Sequence, residues 1–316
     1  MILTVTPNPS LDRTYEVPAL ERGAVLRAAA DRMDPGGKGV NVSRAVAAAG
    51  AATTAVLPLG GACGTLVAEL LGRQGVDVTA VSIAGQTRSN VTLVEPDGTL
   101  TKINAPGPEL TPAESELLLD TVRGCADRPD WIAACGSLAP GLPDDWYAGL
   151  VARGHGAGAK VALDTSGPAL RAALSARPDL LKPNAAELAR AVGRPLHTLG
   201  DAAKAAEELR SLGAAAVLAS LGADGQLLAC AEGIFHGTAP AAAVRSNVGA
   251  GDAALAGFLL AGGTGPEALA AALAYGAAAV QLPGSAVPAP ADLRPGAVRV
   301  TARPPLDLPL TEPAAP

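Results

Sequence analysis

The most informative stretch of the chain is Asn247-Val248-Gly249-Ala250-Gly251-Asp252, which runs directly into the apolar segment 253–260. Two glycines allow a tight turn whose N–H groups converge, and the first-turn N–H groups of the helix predicted to follow have no intrahelical partners. Converging N–H groups at the positive end of a helix dipole form an anion site. A carboxylate in such a site is suited to take a proton from a hydroxyl beside a phosphoryl group that the amides hold.

Two other interpretations of this stretch stay open at the level of the motif alone. Asp is a favourable residue near any helix N-terminus, and Gly-x-Gly often precedes a helix without any chemistry. The stretch also half-matches a dinucleotide-binding fingerprint, with Ala254 or Gly257 as the third small residue. That fingerprint follows the first strand of a βαβ unit and has an acid roughly 20 residues further on, whereas Glu267 comes earlier. The dinucleotide interpretation is therefore weak.

Composition restricts the class of protein. A chain of 316 residues suits one large domain, or one domain with a small appendage. Hydrophobic residues make up 49% and aromatic residues only 2%, so the core must consist mainly of Ala, Val and Leu. A formal net charge of −6 argues against a nucleic-acid partner, which would need clustered Lys and Arg.

Cysteine usage and the N-terminus indicate the compartment. The cysteines form no C-x-x-C pair and the histidines are equally scattered, so neither a disulfide framework nor a zinc site is predicted. These residues are Cys63, Cys125, Cys135, Cys230, His155, His197 and His236. The N-terminus lacks the basic region of a signal peptide, and the Ala-rich run 268–291 is interrupted by Gly, Gln and Pro. We expect a reduced, cytoplasmic protein without a membrane partner.

Short β-branched runs alternate with Ala/Leu-rich helical stretches along the chain. The predicted strands are Ile2–Thr6, Thr53–Leu57, Val76–Val81, Trp131–Ala134, Lys160–Asp164, Leu180–Lys182 and Val217–Ser220. The predicted helices are Val40–Ala49, Thr65–Gln74, Pro112–Arg123, Asp144–Arg153, Ala185–Val192, Asp201–Leu212, Ala250–Ala261 and Pro266–Val280. This alternation predicts an α/β fold with a mostly parallel sheet, helices on both faces, and ligands at the carboxyl ends of the strands.

Three segments depart from the alternation. Arg13–Val17 follows the first strand with no helix between, and Asn90–Val94 and Thr99–Asn104 flank the turn sequence 95–98, which predicts a β-hairpin. Polar β-rich insertions of this kind form a lid or a partner surface. The Pro-rich segment Pro304–Pro316 is predicted to be disordered or loosely attached to a domain of residues 1–303.

A second glycine cluster surrounds a lysine at the start of a predicted helix, in Asp34-Pro35-Gly36-Gly37-Lys38-Gly39-Val40-Asn41. It is not a Walker loop, because Gly39 follows Lys38 and the upstream glycine is missing. The glycines let backbone and ammonium approach a polar ligand, and Asn41 could hydrogen-bond a sugar hydroxyl. The alternative is an ordinary glycine-rich loop with a solvated lysine.

Two further polar residues lie where a ligand would bind. Asp12 comes just beyond the first strand, and a carboxylate there can accept two sugar hydroxyl hydrogens or simply cap a turn. Arg88 starts the hairpin, and its guanidinium could bind a phosphate bidentately or be solvated.

Two motifs follow later strands. Lys182-Pro183-Asn184-Ala185-Ala186-Glu187 opens a helix with the spacing of a capping box. The same spacing directs Asn184 and Glu187 to the strand edge, where they could hold the waters of Mg²⁺ and a phosphate. Ser220-Leu221-Gly222-Ala223-Asp224-Gly225 ends the last parallel strand and begins a predicted hairpin toward Ile234–Gly237, and could wrap a nucleotide or form a plain turn.

Taken in order, these motifs resemble the ribokinase-like, PfkB-type carbohydrate kinases, in the branch of the 1-phosphofructokinases and tagatose-6-phosphate kinases. The resemblance spans roughly residues 1–285 and rests on the ordered set, since each motif is weak alone. Its members are Thr4–Arg13, Pro35–Asn41, Thr87–Val91, Gly136–Gly141, Leu163–Gly167, Lys182–Glu187, Ser220–Gly225 and Val248–Asp252.

The resemblance implies a three-layer sandwich with a small β-sheet lid formed by about 13–17 and 88–105, which packs in a homodimer in many members of the family. It implies ATP-dependent phosphorylation of a ketohexose phosphate with Mg²⁺. The sugar is fructose 1-phosphate by this likeness, with tagatose 6-phosphate or fructose 6-phosphate as the alternatives, and a sensor without catalysis as the alternative class.

The residue roles that the resemblance implies fall into three groups. Asp252 is the base, and the amides of Gly249, Ala250 and Gly251 stabilise the transferring phosphoryl group. The substrate-binding residues are Asp12, Gly37, Lys38, Asn41 and Arg88. The residues for ATP and the metal are Lys182, Asn184, Glu187, Ser220, Gly222 and Gly225, with Glu187 at the metal. The chain departs from the family pattern at Asn247, where Thr is usual, and at Ala253, where Ser or Thr is common.

Overall fold

The computed structural model describes residues 1–124 and 129–316. Its strands are β1 (Ile2–Val5), β2 (Ser10–Glu16), β3 (Ala30–Gly36), β4 (Thr53–Leu59), β5 (Asp77–Ser82), β6 (Arg88–Val94), β7 (Leu100–Ile103), β8 (Trp131–Cys135), β9 (Lys160–Asp164), β10 (Leu180–Leu181), β11 (Leu196–Thr198), β12 (Val217–Ser220), β13 (Gln226–Cys230), β14 (Gly233–Thr238), β15 (Arg299–Thr301) and β16 (Pro309–Ala314). Its helices are α1 (Lys38–Ala48), α2 (Gly61–Arg73), α3 (Pro112–Gly124), α4 (Trp146–Gly156), α5 (Gly167–Ala173), α6 (Ala185–Val192), α7 (Leu199–Ser211), α8 (Ala250–Leu260) and α9 (Gly265–Ala279).

A ten-stranded sheet in the order β15-β14-β13-β12-β10-β9-β8-β1-β4-β5 forms the central layer. The pairs from β12 to β5 are parallel, and β13, β14 and β15 add to one edge in antiparallel pairs. The predicted α/β architecture with a mostly parallel sheet is confirmed. The predicted hairpin from β12 toward Ile234–Gly237 is wrong in its partner, because β12 turns back onto β13 and Ile234–Gly237 lies in the next strand.

Alternating side chains of β8 enter two separate cores. Ile132 and Ala134 of β8 belong to the core under α3–α7, while Trp131, Ala133 and Cys135 belong to the core under α1, α8 and α9. This alternation follows from the period of two residues in a strand, and both faces are apolar because helices cover both. The three-layer sandwich therefore buries the sheet on both sides and leaves only strand ends for a ligand.

The lid is a separate four-stranded sheet in the order β3-β2-β6-β7. The predicted hairpin is confirmed as β6 and β7, and the predicted segment Arg13–Val17 lies mostly in β2. β3 was not predicted from the sequence: its three charged residues are partly or fully exposed and give no apolar alternation. It is held in place by antiparallel pairing with the whole length of β2.

The prediction that the segment Pro304–Pro316 is disordered or loosely attached is wrong. β16 pairs antiparallel with β11, and Leu310 and Ala314 are buried in the core under α3–α7. The backbone N–H of Leu199 donates to the carbonyl of Leu308 at 2.9 Å. Proline is compatible with an edge strand, since only one side of that strand is hydrogen-bonded, so the proline content did not prevent docking.

The cysteines that the structure describes, Cys63, Cys135 and Cys230, are free thiols, and Cys125 lies outside the described residues. Among the helices of the described ranges, none has the length and apolar character needed to span a membrane.

Candidate active site

Asp252 lies in the first turn of α8, buried at about 7% exposure. Gly249 caps this helix with φ +77°, a backbone conformation that glycine adopts without strain. Asn41 Nδ2 on α1 donates to Asp252 Oδ2 at 2.8 Å. The predicted turn therefore forms as expected, with its carboxylate held on one side and the free amides of the first turn beside it.

The environment of Asp252 raises the pKa of its carboxyl to about 6. Burial is the main cause and the negative charge of Asp164 adds to it, while the hydrogen bond from Asn41 and the charges of Lys182 and Lys38 act in the opposite direction. A carboxylate with a pKa near neutrality can accept a proton from a hydroxyl and remain ionised at physiological pH.

Asp164 joins two lysines from separate motifs. Its Oδ1 is 2.7 Å from Lys38 Nζ and its Oδ2 is 2.9 Å from Lys182 Nζ. Burial raises the pKa of Asp164, but the charges of Lys182 and Lys38 outweigh burial and hold it below its ordinary value. The pKa values of both lysines are raised although burial lowers them, because Asp164 faces both. Both ammonium groups thus stay charged at the sheet edge.

The N-terminus of α8 and the Lys182 ammonium form a space suited to a phosphoryl group. A Cβ atom on Gly251 would lie 3.1 Å from Lys182 Nζ, so glycine keeps this approach open. Backbone amides at a helix N-terminus and a lysine are the groups that bind phosphate oxygens. The donor set fits the phosphates of a nucleotide.

A cavity of about 320 Å³ lies between the lid and the carboxyl ends of the strands. Its lining is strongly polar and consists of Thr6, Asn8, Ser10, Asp12, Gly37, Lys38, Arg88, Asn90, Gly136, Ser137, Thr165, Ser166 and Glu187. Hydroxyl, amide and charged groups at this density suit a sugar phosphate rather than an apolar ligand.

The predicted residues Asp12 and Arg88 both line this cavity. Asp12 is hydrogen-bonded by side chains, whereas Arg88 is bound to backbone carbonyls. Asp12 Oδ1 accepts from Ser10 Oγ at 2.7 Å and from Asn90 Nδ2 at 3.0 Å. The Arg88 Nη atoms donate to the carbonyls of Asn8 and Ala105, each at 2.8 Å, so this arginine also ties the lid to the first loop. Burial lowers the pKa of Arg88.

At α6, the capping interpretation of the Asn184/Glu187 spacing is confirmed. Asn184 Oδ1 accepts from the Glu187 N–H at 2.8 Å and Glu187 Oε2 accepts from the Asn184 N–H at 2.9 Å, which is a complete capping box. The other oxygen of Glu187 is 3.5 Å from Lys38 Nζ. Asn184 also bridges in parallel to Ser220 at the end of β12.

Gly222 and Gly225, predicted to contact a nucleotide, lie in the turn that follows β12. The loop is fixed by its own residue Asp224, whose carboxylate accepts from the Thr311 backbone N–H at 2.7 Å and from Thr311 Oγ1 at 2.6 Å. The loop is thus tied to β16, and it follows Ser220, which bridges to Asn184.

Within residues 1–124 and 129–316, no group of three or more His, Cys, Asp or Glu side chains is arranged to hold a metal ion. Mg²⁺ commonly keeps its waters and is bound through one carboxylate together with substrate phosphates. Glu187, at about 10% exposure on the cavity lining, fits that mode.

Several site residues received no role from the sequence. Asp164 ends a predicted strand, and its position at a carboxyl end was the available signal. Ser137, Thr165 and Ser166 follow strands in the same way. Arg44, which donates to Asn41, carries no motif signal because its partners are set by packing.

The two departures from the family pattern lie on either side of the turn. Ala253 is buried beside Tyr275 and Ala279, and its N–H continues the helix by donating to the Gly249 carbonyl at 2.8 Å. Asn247 is exposed.

The profile of the pfkB family carbohydrate kinases matches residues 6–292. The chain belongs to the pfkB family of carbohydrate kinases. It therefore belongs to the class of enzymes that transfer a phosphoryl group to a sugar hydroxyl, and the resemblance seen in the sequence is confirmed.

Individual relatives cover most of this pfkB chain. It is 40% identical to the 1-phosphofructokinase of Rhodobacter capsulatus over 260 residues, 82% of each chain. It is 38% identical to the ATP-dependent 6-phosphofructokinase isozyme 2 of Mycobacterium tuberculosis over 257 residues, 81% of this chain and 76% of that protein. The crystal structure of phosphofructokinase-2 from Escherichia coli in complex with substrates and products matches with a TM-score of 0.86 and 33% identity, covering 92% of this chain and 96% of that one.

Proposed function

We propose that the protein transfers the γ-phosphoryl group of ATP to the 6-hydroxyl group of fructose 1-phosphate and so forms fructose 1,6-bisphosphate. The observation that carries the proposal is the buried Asp252 at the N-terminus of α8, with the Lys38–Asp164–Lys182 group beside it. Relatives at 40% and 37% identity that are named 1-phosphofructokinase support this choice of substrate.

In the proposed reaction, one Asp252 oxygen accepts the proton of the sugar hydroxyl while Asn41 holds the other oxygen. The hydroxyl oxygen forms a bond to the γ-phosphorus as the bond from that phosphorus to the β–γ bridging oxygen breaks, and ADP leaves. The amides of Gly249, Ala250 and Gly251 and the Lys182 ammonium stabilise the negative charge on the transferring group.

The remaining roles are assigned by position. Asp12, Gly37, Lys38 and Asn41 hold the sugar, and Arg88 with Lys38 holds the phosphate already on the substrate. Asn184 and Glu187 bind the ATP phosphates and the hydrated Mg²⁺, which supplies charge neutralisation when bound. The turn of Ser220, Gly222 and Gly225 takes the nucleotide. All except Asn41, Asn184 and the nucleotide turn line the cavity described above.

A kinase for fructose 6-phosphate or tagatose 6-phosphate is the second candidate. The 38% identity to a 6-phosphofructokinase favours it, because the same cationic cavity could accept a phosphate at either end of a ketose. Both candidates use the same base and the same phosphoryl site. They differ in which way the sugar phosphate lies in the cavity and, for tagatose, in the configuration of the sugar at C4.

The experiment is ATP consumption by the purified protein with Mg²⁺ against fructose 1-phosphate, fructose 6-phosphate, tagatose 6-phosphate and fructose. We expect fructose 1-phosphate to be preferred about 100-fold in kcat/KM, roughly 2.7 kcal/mol of transition-state discrimination. A similar preference for another ketose phosphate would identify that sugar as the substrate, and the proposed phosphoryl transfer would stay the same. Absence of turnover with all four would leave a sugar-phosphate sensor as the function.

Asp252→Asn tests the base directly. General-base catalysis contributes about 10²- to 10⁴-fold, so we expect a loss of that size in kcat, with binding of fructose 1-phosphate retained by calorimetry. A variant with full turnover would remove Asp252 from the mechanism.

We also propose that two copies associate through the lid and that the enzyme works in the cytoplasm. The lid has two chemically different faces. In register, Met33, Arg13, Val91 and Ile103 lie in one row across β3, β2, β6 and β7, while the neighbouring row holds Asp12 and Asn90. Because neighbouring rows face opposite sides of a sheet, the side away from the cavity carries three apolar residues of this row beside Arg13, with Met33 and Ile103 exposed.

A further inference from the structure

Arg44 is a buried cation that contacts a residue of the proposed catalytic group. It lies on α1 one turn beyond Asn41 and is about 6% exposed. Its Nη1 donates to Asn41 Oδ1 at 3.1 Å and to the carbonyl of Ser285 at 3.1 Å, and its Nε donates to Gln74 Oε1 at 2.7 Å. The guanidinium is thus held by three separate segments: its own helix, the end of α2 and the chain after α9.

Charge pairing does not account for this arginine. Arg44 forms no salt bridge within 4.0 Å to any carboxylate in residues 1–124 and 129–316. Asp34 and Asp12 attract it from a greater distance and Arg32 repels it, and burial lowers the pKa of its guanidinium. Burying a cation without a close counter-ion is costly. The hydrogen bonds of Arg44, and not an ion pair, therefore hold its guanidinium in place.

These hydrogen bonds determine which way the Asn41 amide points. An arginine can only donate, so the Asn41 oxygen faces Arg44 and the Asn41 nitrogen faces Asp252 Oδ2, 2.8 Å away. Rotating the amide by 180° would place NH₂ against guanidinium and oxygen against carboxylate. Both contacts would be repulsive, so one orientation is strongly favoured.

We propose that Arg44 is a positioning residue, which acts through the Asn41 amide to fix the Asp252 carboxylate with one oxygen free for the acceptor hydroxyl. This inference rests on the proposed function of Asp252 as the base. The charged groups that face Asp252 from the neighbouring strands and helices are Asp164, Lys182 and Lys38, and none of them restricts the Asn41 amide as Arg44 does.

The first test is a double-mutant cycle of Arg44→Met, Asn41→Ala and the double variant, with kcat and both KM values measured. We expect Arg44→Met to lower kcat about 10- to 100-fold, the size of loss that a small misplacement of a reacting group produces, with a smaller change in the KM for ATP. In the Asn41→Ala background, Arg44→Met should have little further effect. Additive losses in kcat, or an unchanged kcat in Arg44→Met, would overturn the proposal.

Two further variants separate geometry from charge and from folding. Arg44→Lys keeps the charge but has a single nitrogen that cannot reach all three acceptors, so we expect it to lose nearly as much kcat as Arg44→Met; full activity would mean that only the charge matters. Arg210→Met is the control, since Arg210 also donates to a backbone carbonyl, that of Ala215, and its other partner is Glu207 on its own helix. It should leave kcat unchanged.

A readout without turnover keeps this proposal distinct from the proposed function. The chain has six asparagines, so selective ¹⁵N-asparagine labelling gives few side-chain amide signals, and Asn41→Ala assigns the one of interest. In Arg44→Met, the Asn41 oxygen loses its hydrogen bond to the charged guanidinium, so the amide can turn away from Asp252 more often. We therefore expect hydrogen exchange of the Asn41 side-chain NH₂ to be at least about tenfold faster than in wild type, the change that loss of one hydrogen bond to a charged group gives. Unchanged exchange would overturn the role of Arg44 even if the wild type proves to be a kinase.

If Arg44→Met does not fold, Gln74→Met takes its place. This variant removes only the acceptor of the Arg44 Nε hydrogen bond, and we expect changes in the same direction.

Discussion

At the residue scale, Asp252, the proposed base, is surrounded by groups of both charges. Burial and Asp164 raise the pKa of Asp252, whereas Lys182, Lys38 and the Asn41 hydrogen bond oppose the rise. Since the net effect is a raised pKa, the carboxyl becomes protonated, and loses its function as a base, at a higher pH than an ordinary aspartate would.

We therefore predict that kcat/KM falls about tenfold per pH unit below pH 6. The substrate phosphate also titrates near pH 6, at about the same value, so the pH profile alone does not identify the group. Asn41→Ala removes a hydrogen bond to the ionised form of Asp252 and should move the acid limb to higher pH, while titration of the substrate would leave it in place. If the acid limb does not move, the titrating group is the substrate phosphate and not Asp252.

Asp164 pairs with two lysines, of which Lys182 is buried and Lys38 is partly exposed, and this predicts the effect of Asp164 on stability. Asp164→Asn would leave the Lys38 and Lys182 ammonium groups without their shared counter-ion. Breaking a buried ion pair by removing one partner costs about 3–5 kcal/mol, and we expect a loss at the lower end of that range because Lys38 is partly exposed. Urea unfolding followed by circular dichroism measures it. Asp130→Asn, at the exposed N-terminal ion pair, is the control and should leave the midpoint close to wild type.

The limits of sequence reasoning at this scale follow from how far apart the partners lie. The sequence identified Asp252, Lys38, Lys182 and Glu187 because each lies in a local motif at a helix start. Asp164 lies in the motif Leu163–Gly167 but received no role from it, and Arg44 lies in no motif. Lys38 lies 126 residues from Asp164, so their meeting depends on the order of strands in the sheet.

At the scale of elements, β16 supports the loop that is proposed to take the nucleotide. Thr311 donates two hydrogen bonds to Asp224 within this loop, and His236 contacts the Asp224 carbonyl at 2.7 Å. We predict that Thr311→Ala raises the KM for ATP about fivefold, the worth of one modest hydrogen bond, and leaves the KM for the sugar phosphate unchanged. Steady-state kinetics with each substrate varied in turn measures both. Glu312→Ala, exposed on the same strand, should change neither, and equal rises in both KM values in Thr311→Ala would contradict a local effect.

Elements with local signals were predicted and elements without them were not. The helix α6 begins at a complete capping box, and the β6–β7 hairpin has its turn sequence at 95–98. β3 and β16 carry charge or proline where a strand usually carries alternating apolar residues. Both form because a partner strand is already in place, which is information that no window of sequence contains.

At the scale of the whole molecule, one face of the lid lines the polar cavity and the other carries the row of Met33, Arg13, Val91 and Ile103. Ile103, 60% exposed, is the most exposed large side chain of the outer row. We predict that Ile103→Glu converts a dimer into a monomer, because a charge at a buried interface lacks a partner, and that sedimentation velocity will show the change. Leu117→Glu, on the exposed surface of α3, is the control and should not alter the sedimentation coefficient. A wild-type protein that sediments as a monomer would contradict association through the lid.

The contact between Thr311 and Asp224 also has a consequence for synthesis. Asp224 leaves the ribosome 87 residues before Thr311 does. The central sheet from β1 to β14 can therefore assemble on a nascent chain whose proposed nucleotide loop still lacks two of its hydrogen bonds. We expect such a chain to bind ATP more weakly than the finished protein, so that the order of translation delays the onset of activity until β16 has been made.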